Sequence, residues 1–367
     1  MIDFSLLPDG GTRWLDGSGD HPEVVLSTRV RLARNVEGFA YTTRARDGER
    51  LRVLGQLRDA MPKVESLKGG VILRVDELAT PDRQLLYERH LVSKELAGLD
   101  GTLAVRTGAA LVLADEVSVM VNEEDHLRLQ AMRSGFDPLG AFGAATALDD
   151  ELGRHVPYAW HGEFGFLTAC PTNTGTGLRA SVLIHLPGLV LTKEISKVLA
   201  GLQQMGLTYR GLYGEGSEVV GNYFQISNQT TLGKSEVELL DQLSRVVRHV
   251  VEREEEARHV LLRDAGYIIE DKLWRAYGTL RYARSLTFDE AMNLLSGVRL
   301  GVGLGRIPHV SMNALNKLLI FCQPAHVAVA AEVQPDDPSL PIRRAAFVRE
   351  VLAQESRPGA PPGAGDV

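Results

Sequence analysis

Two cysteines, Cys170 and Cys322, are all that 367 residues contain. So few thiols exclude a disulfide framework and a cysteine-built zinc site, and they suit a reducing interior. Long apolar runs are missing too. None reaches the roughly 18 residues a membrane helix needs. The opening stretch MIDFSLLPDGGTRW has no basic segment leading into an apolar one, so no secretory signal is read there. The expectation is a cytoplasmic protein with no membrane partner. Positive charge is in deficit, with a net charge of −7. Neither a basic stripe nor a recognition-helix pattern appears, which argues against nucleic acid as a partner. Lysine is the scarcest charge, eight of the 40 basic residues. Arginine is therefore so common that a single one means little, and only clusters count.

What remains is ordinary globular material, 44% hydrophobic and 24% charged, long enough for two domains with cores of their own. Residues 1–22 are polar and glycine-rich and read as a loose lead-in. Glu23–Val36 alternates as a strand does. Pro81–Gly98 reads as a helix, with proline near its start and glycine past its end. LAVRTGAALVLA and VSVMV suggest a hairpin, and Asp137–Leu152 a helix. Residues 165–192 read as strand, Gly/Thr loop and apolar segment, and 193–206 as a compact helix. LTYR and NYFQISN read as strands around a glycine-rich turn. Ser235–Gly266 keeps helical apolar spacing through Val237, Leu240, Leu243, Val246, Val247 and Val250. Helix then follows helix to about Glu350, and 353–367 is a Pro/Gly-rich tail expected to be disordered. The pattern reads as a mixed α/β unit to roughly residue 260 and a smaller all-helical unit after it.

Chemistry gathers in four loops, each at the end of an apolar strand: STRVR (Ser27–Arg31), NEEDHLR (Asn122–Arg128), CPTNTGTGLR (Cys170–Arg179) and RGLYGEGSE (Arg210–Glu218). Each has a bland alternative. Arg29 and Arg31 could mark a solvated edge strand. Glu123–Glu124–Asp125 could favour a helix N-terminus. NTGTG is neither a Walker loop nor a dinucleotide fingerprint, and Cys170 could be a small buried hydrophobe. Taken together they pose two charge needs. Clustered arginines ask for a polyanion such as a nucleotide's phosphates. Glutamates and a thiol ask for a cation. Phosphoryl transfer from a nucleotide to a guanidinium joins both, with carboxylates aligning the acceptor and taking its proton.

CPTNTGTGLRAS and NEEDHLR resemble the signatures of the guanidino-phosphotransferase (phosphagen kinase) family. VVLSTRVRLARN, LRASVLIHLP and FQISNQTTLGKSE add a resemblance to its bacterial protein-arginine kinase branch, over about Glu23–Glu350. The resemblance implies an α+β fold, with a catalytic unit over 23–258 whose largely antiparallel sheet is flanked by helices, then a small all-helical unit over 259–352 for regulation or dimerisation. It implies ATP and magnesium as cofactors, the metal being held chiefly by phosphates and water. It implies that Arg29, Arg31, Arg128, Arg179 and Arg210 grip the phosphates. The nucleotide site would be outlined by Ser27, Thr28, Arg29, Val30, Arg31, His90, Arg179, Ala180, Ser181, Val182, Leu183, Arg210, Gly211, Leu212, Tyr213, Gly214 and Glu215. Glu124 and Glu215 would clasp the acceptor guanidinium, either one serving as base, and Cys170 would sit beside it, its thiolate favoured by that cation.

About twenty residues precede VVLSTR, whereas small-molecule relatives carry a helical domain there. The expected acceptor is therefore arginine on a protein surface. The branch resemblance further implies a Clp-type ATPase and protease, control of a stress-gene repressor, a zinc-finger activator partner and homodimerisation. One motif departs. Where the branch reads phosphoarginine with Arg-Asp-x-x-Arg-Ala, this chain has Leu340-Pro341-Ile342-Arg343-Arg344-Ala345. Arg344 and Ala345 remain, while the leading pair is lost, so allostery through Arg343 and Arg344 is expected to be weak or absent. The rival readings are a small-molecule arginine kinase with an unusual lid and a catalytically idle adaptor.

Overall fold

The computed structural model describes residues 11–101, 104–212 and 219–355. Eight strands form one sheet, and every pairing within it is antiparallel. In chain order they are β1 (Val25–Arg34), β2 (Val71–Arg74), β3 (Ala110–Leu113), β4 (Val117–Val121), β5 (Leu127–Ser134), β8 (Leu178–His185), β9 (Leu207–Arg210) and β10 (Tyr223–Asn228), while β6 (Trp160–His161) and β7 (Gly165–Phe166) make a separate small hairpin. The spatial order is β2-β3-β4-β5-β1-β8-β10-β9. The α+β expectation holds. Arg29 and Arg31 do not lie on an edge, because β1 is hydrogen-bonded on both sides, by β5 and β8.

The helices are α1 (Asp47–Ala60), α2 (Thr80–Glu88), α3 (Pro138–Gly153), α4 (Pro187–Leu191), α5 (Ile195–Gln204), α6 (Glu236–Tyr282), α7 (Phe288–Gly303), α8 (Met312–Phe321), α9 (Pro324–Ala330) and α10 (Leu340–Glu355). One sheet face is apolar. Val30, Leu32, Leu129, Ala131, Ala180, Val182 and Ile226 bury there against α1, α3 and the first half of α6. A capping box starts α6: Ser235 accepts from the Glu238 amide, and the Glu238 carboxylate accepts from the Ser235 amide at 2.7 Å. The sequence pattern ends this helix at Gly266. Ala265 there leaves helical geometry (φ −144°, ψ 31°), after which the chain resumes the helix to Tyr282. The kink separates two cores. Residues before it bury in the sheet's core, and Ile269, Leu273, Ala276 and Leu280 bury with α7, α8 and α10. Val237 keeps the spacing but is 71% exposed.

Two expectations are corrected. The helix read over Pro81–Gly98 stops at Glu88, because His90 takes a left-handed backbone (φ 59°) that cannot continue it. The lead-in is not loose where it is described. Trp14 and Leu15 are buried against Ile320, Met132 and Phe321. The tail beyond Glu355 lies outside the described residues, while residues 353–355 belong to α10. Among the described residues no helix is long and apolar enough to cross a membrane.

One buried ion pair ties the core to the loops above it. Arg34 reaches Asp149 of α3 with two nitrogens (Nη2–Oδ2 2.6 Å, Nε–Oδ1 3.0 Å) and donates to the carbonyls of Ala33 and Thr176. Its guanidinium carbon lies 3.5 Å from the Phe166 ring centroid. Removing the carboxylate strands a charge in the core. Asp149→Ala is expected to cost about 3–5 kcal/mol in urea unfolding; a loss near zero would contradict this account of the pair.

Candidate active site

Directly opposed residues in antiparallel strands project from the same face. Arg31 opposes Gln130 on β5 and Arg179 on β8, and Arg29 opposes Met132 and Ser181. Ser27 opposes Ser134 and Leu183, Leu183 opposes Gln225, and Gln225 opposes Arg210. Arg128 lies two residues from Gln130 on β5. The register thus sends Arg29, Arg31, Arg128, Arg179 and Arg210, from four strands, to one face, opposite the apolar one. Ser27, Arg29, His90, Ser181, Leu183 and Leu212 also share the lining of one small cavity, completed by Met132 and Gln225. Thr28, Val30, Ala180 and Val182 alternate to the other side. All four are buried, and the last three belong to the apolar core. Their side chains face the core, so they border the arginine face with their main chain alone. Gly211 is buried beside Leu212, whereas Tyr213, Gly214 and Glu215 lie outside the described residues.

This face is electrostatically strained. Burial lowers the Arg29 pKa to about 10, and repulsion from Arg179 and Arg128 adds to the effect. Arg31 is pushed down further, by burial and then by Arg29, Arg128 and Arg179. The guanidiniums keep their charge, so the shifts reflect the cost of burying that charge first and repulsion between the arginines second. Among the described residues neither Arg29 nor Arg31 has an ion-pair partner, and the Arg31 Nε is buried without a hydrogen bond. His90 drops to about 3, through burial and then the two arginines, and is neutral at neutral pH. Arg179 donates to the Ser227 hydroxyl at 3.1 Å.

The acidic end is the turn between β4 and β5. Asn122 adopts a left-handed backbone (φ 57°), and its side chain donates to the carbonyls of Arg50 and Gly108. Of the three acids that follow, each has a different task. Glu123, 1% exposed, accepts from Arg128 at 2.6 Å. Asp125 is fully buried and accepts from the Ala169 amide and the Asn35 side chain, both at 2.6 Å. It fastens the loop of Cys170 to the turn of Glu124. His126 braces the turn, its Nδ1 accepting from the Val36 amide and its Nε2 donating to the Ala40 carbonyl. Glu124 alone is open, with a side chain 40% exposed. Its pKa is raised, first by burial and then by Glu123 and Asp125, against the pull of Arg128 and a hydrogen bond from Cys170. Glu124, Cys170 and Arg128 are thus brought together. Glu215 is outside the described residues, so its place in this group is not seen. Asn35, Gln225, Met132 and the Thr168 hydroxyl, which donates to the Cys170 carbonyl at 2.7 Å, escaped sequence reading. None carries a pattern of its own, although Asn35 directly follows Arg34 in the quoted RLARN.

No three candidate metal ligands cluster among the described residues. The Glu123 Oε2 and Asp125 Oδ2 atoms are buried without hydrogen-bond partners, which closes them to a hydrated cation and leaves Glu124 as the acid of the turn open to one.

A family model described as "ATP:guanido phosphotransferase, C-terminal catalytic domain" matches residues 52–257, and one described as "Protein-arginine kinase McsB C-terminal domain" matches 267–362. The protein-arginine kinase of Moorella thermoacetica is 43% identical over 95% of this chain and 100% of its own length. That of Bacillus subtilis is 41% identical over 95% of each. The chain belongs to the ATP:guanido phosphotransferase family. It is an enzyme of that family, a kinase, for which the family implies ATP. Among solved structures it is similar to the duplicated taurocyamine kinase of Schistosoma mansoni (TM-score 0.59, 27% identity, 70% of this chain but only 35% of that one) and to lombricine kinase (TM-score 0.55, 25% identity, 69% and 70%).

A base acts only when ionised. With Glu124 held above the ordinary 4.5 of a glutamate, kcat/KM of the kinase is expected to fall as pH drops through a value higher than 4.5. Glu124→Gln should cut the rate by about 10²–10⁴. A profile flat down to pH 4.5 would remove Glu124 from the role of base.

Proposed function

We propose that this kinase transfers the terminal phosphoryl group of ATP to the guanidinium of arginine residues in proteins. The observation that carries the proposal is the arginine face ending at Glu124 and Cys170, a charge pattern that suits a polyanion at one end and a cation at the other. Arg29, Arg31, Arg128, Arg179 and Arg210 would neutralise the phosphates and keep the terminal phosphoryl in line. His90, Ser181, Leu183 and Leu212 would surround the rest of the nucleotide. Glu124, with Glu215 as its proposed partner, would accept hydrogen bonds from the acceptor and orient one nitrogen. As the N–P bond forms and the P–O bond to the leaving nucleoside diphosphate breaks, the nitrogen's proton passes to a carboxylate. Cys170 would flank the same guanidinium. Magnesium, if bound, would supply charge neutralisation on the phosphates, with Glu124 the acid of the turn open to its water shell.

Protein rather than free arginine as acceptor is supported by the matched relatives, both named protein-arginine kinases. The homodimer, the zinc-finger activator, the Clp-type ATPase and the stress-gene repressor rest on the resemblance; the cytoplasmic setting rests on the scarcity of thiols, and the domain boundary near residue 258 on the change from mixed to all-helical patterning. Loss of phosphoarginine reading at residues 340–345 also rests on the resemblance. In the fold Arg344 is buried and committed to the carbonyls of Cys322 (2.6 Å) and Leu286 (3.0 Å), whereas Arg343 is exposed.

The test is incubation with Mg-ATP and casein, beside free arginine as the sole acceptor. Acid-labile phosphate mapped to casein arginines is expected. Turnover of free arginine with casein untouched would contradict the proposal and favour a small-molecule kinase.

A further inference from the structure

His90 enters the cavity lined by Arg29, but what places it lies far away in the chain. The three residues Glu88, Arg89 and His90 close α2, and the first two are gripped by the helical unit. The Glu88 carboxylate, 3% exposed, accepts from the Ala325 amide (3.0 Å), the His326 amide (3.2 Å) and His326 Nδ1 (2.8 Å), so it caps the N-terminus of α9. Arg89 Nε donates to His326 Nε2 at 3.0 Å, and its guanidinium lies 5.2 Å from the Phe321 ring centroid. One imidazole, 6% exposed, therefore donates to Glu88 and accepts from Arg89 at once. The partners fix its tautomer. The next residue is His90 itself, in a left-handed backbone (φ 59°) that leaves it little latitude. Its carbonyl accepts from Gln130 Nε2 at 3.1 Å, and its ring meets Trp14 edge-on at 5.6 Å. The clamp joins residues 237 apart in sequence.

We propose that His326 of α9 is a positioning residue for the nucleotide, acting through Glu88 and Arg89 to hold His90 in its cavity. The inference rests on the reading of that cavity as part of the ATP site. The helical unit would then help to set nucleotide affinity without touching the nucleotide.

The experiment measures KM for ATP and kcat in the full chain, with casein as acceptor, for His326→Phe, His326→Asn, His90→Ala and the double variant His90→Ala/His326→Phe. His326→Phe should raise KM for ATP about tenfold with kcat within about twofold, the signature of lost ground-state placement. His326→Asn, which keeps a donor for Glu88, should recover part of that loss. The double variant should be no worse than His90→Ala alone, because the two residues act in series. A lower melting temperature with unchanged KM in His326→Phe would make His326 merely structural and overturn the inference. An unchanged KM in His90→Ala would overturn the cavity reading itself and this inference with it. A raised KM in His90→Ala alone would overturn only this inference. If His326→Phe does not fold, Arg89→Met breaks the same clamp from the catalytic side, and the same KM outcomes decide.

Discussion

Like charges crowded on one sheet face are the constraint on which this molecule turns. Period-two alternation along β1 would put Arg29 and Arg31 on one side in any register. Antiparallel pairing then brings Arg128, Arg179 and Arg210 beside them. Like charges a few ångströms apart near a protein surface repel by on the order of a few kcal/mol. Among the described residues, Glu123 on Arg128 and a hydroxyl on Arg179 offset part of this. Stability comes instead from the opposite face, where the same alternation supplies a continuous apolar layer under α3 and α6. The two faces divide the labour, one holding the fold and the other carrying the crowded charge.

At the β4–β5 turn the sign of the charge reverses within a few residues. That reversal requires bracing, and Asp125 and His126 supply it from within the acidic run itself. Their bonds to Ala169, Asn35, Val36 and Ala40 fix where Glu124 points and bring the Cys170 loop alongside. Three adjacent acids thus divide into a partner for arginine, a site carboxylate and a strut. A core strand can run into so much negative charge here because only one of the three acids faces outward.

Legibility in the sequence followed the range of the interactions. Local patterns carried most of the elements: alternation for β1, apolar spacing for α6, and the Gly/Thr loop before β8. The arginine face was legible because alternation is local and the motifs at strand ends supplied the rest. Features made by contact across the chain were invisible. Arg34 looks like one more basic residue on a strand until Asp149, more than a hundred residues away, is seen to neutralise it. Trp14 read as part of a loose lead-in because its apolar partners are Ile320 and Phe321. The helix over Pro81–Gly98 was overestimated because nothing local shows that Glu88 turns to cap α9.

The most direct test of this account is thermal unfolding of the chain and of Arg31→Met, with and without inorganic triphosphate. Triphosphate, having no base or sugar, isolates the electrostatic claim. Relief of repulsion should leave ligand-free Arg31→Met at least as stable as the parent. Triphosphate should raise the melting temperature of the parent strongly and that of the variant hardly at all. A ligand-free variant that melts well below the parent, yet still gains the full shift from triphosphate, would show that the arginine face is neither strained nor built for a polyanion.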